Sequence, residues 1–131
     1  MTFLATSAED EAALELAPLD SSFFLATLRS RGVIGTARVG SFMANGLADF
    51  FAYMAEHWRG WDGIRTWGSL EGELKMTARS DRLGHVFLDV TLREGAPEKW
   101  TLRASLVLEA GMLDQVAKRA REFELANARA A

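Results

Sequence analysis

A chain of 131 residues lies within the single-domain range and can bury enough apolar surface to fold without staples. Its 49% hydrophobic and 25% charged residues exclude disordered and fibrous classes, and the absence of cysteine excludes disulfides, zinc–thiolate centres and thiol nucleophiles. A net charge of −3 argues against a nucleic-acid partner, which would want a concentrated basic face.

The first ten residues lack the basic start and apolar run of a signal peptide, and no stretch approaches the roughly 18 apolar residues of a membrane span. The expectation is a soluble cytoplasmic protein with no membrane partner. Acidic residues gather early, at Glu9, Asp10, Glu11 and Glu15. Arginine outnumbers lysine and alanine is abundant, which fits the coding bias of a GC-rich bacterial genome better than a functional demand.

Short apolar runs separated by turn residues predict strands over 3–6, 12–16, 23–29 and 32–39. The run Ser7-Ala8-Glu9-Asp10 also resembles a helix start, so 8–16 has a helical turn as its alternative. Next, Met43, Leu47, Phe50, Phe51, Met54 and Trp58 recur at three- and four-residue steps, forming the apolar stripe of a helix from Ser41 or Asn45 to Trp58. Gly60 and Gly63 stop it.

From Ile64 the period becomes two, predicting strands over 65–70, 73–79, 85–93 and 100–108 joined as a meander. Leu74, Met76 and Ala78 share an inner face with Val86, Leu88, Val90 and Leu92, and Trp100, Leu102, Ala104, Leu106 and Leu108 continue it. Symmetric turns would set Lys75 and Arg103 on either side of Asp89, a basic–acidic–basic stripe on the polar face. A second amphipathic helix spans 112–126, with Leu113, Val116, Ala117, Ala120 and Phe123 inward, and 127–131 reads as a frayed tail. The fold class is therefore α+β: one domain over 1–131, a meandering antiparallel sheet packed against two amphipathic helices.

Motifs of catalysis are missing: no phosphate loop, nucleophile elbow, paired-histidine metal site or EF-hand loop occurs, and neither a metal nor a cofactor is implied. Only His57 and His85 could supply acid–base chemistry near neutral pH. His57 sits at a helix C-terminus and His85 at a hairpin turn, where structural roles suffice. The reading leans away from an enzyme. Less ordinary are the four tryptophans, of which Trp58, Trp61 and Trp67 surround one turn. Large rings either wedge helix against sheet or join Arg59, Asp62 and Arg65 in a recognition surface. Phe87, an aromatic on a polar sheet face, is covered by the N-terminal strands or meets a partner.

Three segments carry a resemblance: Gly60-Trp61-Asp62-Gly63-Ile64-Arg65-Thr66-Trp67, Gly84-His85-Val86-Phe87-Leu88-Asp89-Val90, and Leu108-Glu109-Ala110-Gly111-Met112-Leu113. Over 41–123 the chain resembles a family of small bacterial proteins described as a domain of unknown function, with no catalytic residues to carry over. The order of helix, meander with a Gly-His turn, and a helix opening near Asp114-Gln115 is also similar to immunity proteins of polymorphic toxin systems, of the wall-associated-toxin antidote type. This chain departs from that pattern in its Trp-rich turn and in placing Asp114-Gln115 inside the helix.

Two functions of different classes follow, with a homo-oligomeric structural module as a third. The first is a non-enzymatic module binding another protein, of immunity type if the second resemblance holds, through Trp61, Arg65, Phe87, Asp89 and Arg103. The alternative is a small-molecule binder or cofactor-free enzyme with a pocket between the sheet and the first helix, lined by Phe50, Met54, Trp67 and Trp100. His85 or His57, with Asp89 or Asp62, would have to converge on that pocket for chemistry.

Overall fold

In a computed structural model of the chain, describing residues 2–41, 46–95 and 97–130 with the last two as backbone alone, the strands fall into two blocks separated by a helix. The first block is β1 (Phe3–Thr6), β2 (Ala13–Pro18), β3 (Phe23–Ser30) and β4 (Val33–Gly40). Helix α1 (Leu47–Glu56) follows, then β5 (Arg65–Gly68), β6 (Leu74–Ser80), β7 (His85–Glu94) and β8 (Trp100–Glu109). A 3-10 turn over Ala110–Met112 leads into α2 (Leu113–Ala130). Each block is its own four-stranded antiparallel meander, so the α+β domain has two sheets. Met43 of the expected helical stripe and Asn45, one of the helix's two expected starts, lie outside the described residues.

Turn chemistry sets the boundaries. The helical alternative for 8–16 is not taken up: Asp10 Oδ1 accepts the Ala12 amide at 2.9 Å, closing a turn that delivers Ala13 into β2. Asp20 does the same between β2 and β3, accepting the amides of Ser22 and Phe23 at 2.8 Å each. Strands persist because alternate residues are apolar, and those residues form one buried cluster with both helices.

Strand β3 packs over β7 and β8, β4 over β7, and β1 against β8, while α2 lies along β1 and β2 and α1 meets α2 and β5. Phe3 meets Phe51 at 5.0 Å between centroids, and Phe24 meets Phe123 edge-on at 5.3 Å, tying the first sheet to both helices. Helix α2 also caps α1, since Glu124 accepts the Ala48 amide in the first turn of α1 at 3.2 Å. Close approach of the sheets needs a missing side chain at one point. A Cβ on Gly35 would stand 3.0 Å from the Trp100 ring.

The registers correct the expected charge stripe. Thr77, not Lys75, pairs with Asp89, and Ser105, not Arg103, pairs with it from the other side. Lys75 and Arg103 flank Thr91 instead. The reason is the hairpin chemistry: Asp81 accepts the amides of Leu83 at 2.7 Å and His85 at 3.1 Å, which centres the first turn on Leu83. In the second, Lys99 donates to the Glu94 carbonyl at 2.8 Å and the turn centres on Pro97.

Candidate functional site

The second sheet buries its inner face and leaves the other open. Leu74, Met76, Ala78, Val86, Leu88, Val90, Leu92, Leu106 and Leu108 are all buried. Their alternating neighbours form an outer face of Lys75, Thr77 and Arg79 on β6, Phe87, Asp89 and Thr91 on β7, and Arg103, Ser105 and Val107 on β8. None of these outer residues is buried.

Phe87 sits on an inner strand of that face with the Arg79 guanidinium 4.5 Å above its ring. The cation covers part of the aromatic surface and holds itself in place by the ring's quadrupole. One row away, the Ser105 hydroxyl donates to Asp89, which fixes the carboxylate across the strand pair. Thr77, Thr91 and Ser105 supply short hydroxyl side chains around these two fixed groups.

Of the five residues expected to bind protein, Phe87, Asp89 and Arg103 share this face and the other two do not. Trp61 is a core residue, 6% exposed, so of the two expected roles it takes the core wedge, and its place among the protein-binding candidates is corrected. Its indole N–H has no partner among the described residues, a cost accepted for a large ring wedged under the end of α1. Arg65 is exposed beside it but pairs with Ala78 on the inner side, and its guanidinium lies 3.9 Å from the centre of the Tyr53 ring. Tyr53 also stacks on His57 at 4.0 Å and meets Trp61 edge-on at 5.7 Å.

The expected pocket residues disperse. Phe50 and Met54 are core, at 3% and 0% exposure. Trp67 packs beneath α1 near Gly46, and Trp100 lies against Gly35 on the far sheet. His85 is at the hairpin tip, where its Nδ1 lies 2.8 Å from Asp81. The Leu83 amide, with help from His85, holds the Asp81 carboxyl below its ordinary value. His57 places Nδ1 2.9 Å from the Tyr53 carbonyl, one turn back in its own helix. Both histidines are thus engaged in local structure at separate places, and Asp62 pairs with Arg82. That contact, with Gly60 at φ +118° against Arg82, pins the Trp-rich turn to the hairpin tip. Among the described residues no group of three or more His, Asp or Glu could hold a metal.

Sequence reasoning missed Tyr53 and Arg79. Tyr53 had a visible signal, its four-residue spacing from His57, whereas Arg79 opposes Phe87 only in the observed register.

Fold and face together define a small α+β domain whose second sheet presents an open outer surface. Residues 7–127 match the model of a family of unknown function, DUF6228, and the chain belongs to that family. No curated protein and no solved structure matches it. Among the described residues no helix is long and apolar enough to cross a membrane.

Proposed function

We propose that this protein is a non-enzymatic protein-binding module whose contact surface is the outer face of the second sheet. The observation that carries the reading is the Arg79–Phe87 stack, an aromatic and a guanidinium held together at 4.5 Å on an otherwise hydroxyl-rich, solvent-facing sheet. Aromatic and arginine anchors immobilised before contact lose little side-chain entropy on binding, and these residue types dominate interface energetics. Asp89 and Arg103 add charge of both signs at fixed register positions, which favours a partner of matching pattern.

An immunity-type role, implied by the resemblance in sequence, is the narrower case in which that partner is a toxin. A photo-crosslinking residue at Thr77, on the outer face, and another at Lys118, on an exposed side of α2, test the reading in cells of origin. A discrete adduct from Thr77 and none from Lys118 is the expected result. Equal labelling at both positions, or none at Thr77, overturns it. Toxicity of the captured partner when expressed alone would select the immunity-type case.

A further inference from the structure

Strand β8 is an outer strand of the second sheet, and its backbone groups alternate between the β7 ladder and the open side. Four hydrogen bonds fix which residues point where. Ala110 donates to the Gly84 carbonyl at 2.9 Å, which sets the even-numbered positions on the ladder. On the odd-numbered side, Ala8 donates to the Val107 carbonyl at 2.8 Å, Val107 donates to Ser7 Oγ at 3.0 Å, and Glu109 donates to Met112 Sδ at 3.4 Å. Thr101, Arg103 and Ser105 therefore aim their N–H and C=O groups away from the sheet, and among the described residues no protein group meets them.

Two further features adjoin this free stretch. A cleft of about 430 Å³ opens beside it, lined by Val33, Ile34, Trp100 and Leu102 among others, with Ile34 67% and Val33 48% exposed. On the opposite side of the strand Arg103 is exposed and enters none of the described ion pairs, which are Arg82–Asp62 and His85–Asp81.

We propose that the free half of β8 binds an extended, acidic segment of another protein by strand addition. Backbone groups of the segment complete the ladder at Thr101, Arg103 and Ser105. Alternate side chains of an extended strand point to opposite faces, so one set enters the apolar cleft and the other lies beside Arg103, where a carboxylate is complementary.

A second copy of this chain fits poorly. An antiparallel register centred on Arg103 opposes that arginine with its own copy, and one centred on Leu102 sets Lys99 of the copy diagonal to it. Centring on Ala104 puts Thr101 of the copy where Ala8 already bonds Val107. The inference rests on the protein-binding reading and names the partner's chemistry and the edge it takes.

The test is an NMR titration of the isotope-labelled chain with a short acetylated peptide of alternating glutamate and valine, and with its lysine–valine counterpart. Saturable shifts are expected at the Thr101, Arg103 and Ser105 amides and the Trp100 indole, with the lysine peptide weaker. Thr101→Pro removes an outward amide and leaves the β7 ladder intact, so it should stay folded and lose the shifts. Arg103→Gln should weaken binding about two- to fivefold. Shifts confined to Ile34–Arg38 or to Phe87, shifts retained in folded Thr101→Pro, equal binding of both peptides, or concentration-dependent shifts without peptide would each overturn the inference. If the acidic peptide fails while the Thr77 crosslinker still captures a partner, the edge assignment falls and the protein-binding reading stands.

Discussion

The two halves of β8 share one strand, one ladder to β7 and one alternation of side chains, yet their outer edges are treated oppositely. From Val107 onward every outward backbone group described is met, by Ser7, Ala8 or Met112. From Thr101 to Ser105 none is. Unpaired strand edges invite pairing with other chains, so a protein that closes half an edge and leaves the other half beside an apolar cleft and a lone arginine has confined where such pairing can occur. The closure comes from the β1–β2 turn, a segment a hundred residues away in sequence from Val107, as the Ser7–Val107 bond spans.

The largest expected effect separates the strand's faces. Leu106 is fully buried, and Leu106→Ala should cost about 2–5 kcal/mol in chemical denaturation, through lost burial and the cavity left behind. Next comes the closed edge: Ser7→Ala removes the acceptor of the Val107 amide and should cost about 0.5–1.5 kcal/mol, with faster exchange at Val107 alone among the β8 amides.

Smaller again is the hairpin tip. Because the Asp81 carboxyl is held below its ordinary value in the folded state, it contributes stability that is present above the unfolded value of about 3.9 and is lost as pH falls through the folded value. Asp81→Ala should therefore lower Tm at neutral pH, and the difference from wild type should shrink as the pH drops below about 4. Least of all, Arg103→Gln on the open edge should change stability by no more than about 0.5 kcal/mol, since Arg103 is exposed and enters no ion pair among the described residues.

Much of this architecture was legible because alternation and helical stripes are local. The run Leu74, Met76, Ala78 announces a half-buried strand without reference to anything else, and the spacing of Phe50, Phe51 and Met54 announces a helix in the same way. What pairs with what is not local. The register that sets Thr77 beside Asp89 depends on a side-chain cap within a turn, Asp81 onto Leu83 and His85, and the one that sets Ser105 there depends on the Lys99–Glu94 turn, each shifting the pairing by two positions from the symmetric guess. The division into two sheets depends on how β3 and β4 lie over β7 and β8, and hence on a glycine at position 35 that lets Trp100 approach.

The candidate surface followed the same rule. Phe87 was conspicuous as an aromatic at an outward position, but Trp61 could not be assigned, since tryptophan suits both a core wedge and an interface anchor and only the packing of α1 decides. The open edge was invisible, because it is defined by which amides other segments reach. No composition or motif records that.

Amide hydrogen exchange along β8 tests this account most directly. Leu102, Ala104 and Leu106, bonded to β7, should exchange slowly, Val107 should be protected by Ser7, and Thr101, Arg103 and Ser105 should exchange fast. Uniform protection from Thr101 to Val107 would show that the edge is already covered and would contradict the claim that half of it stands open.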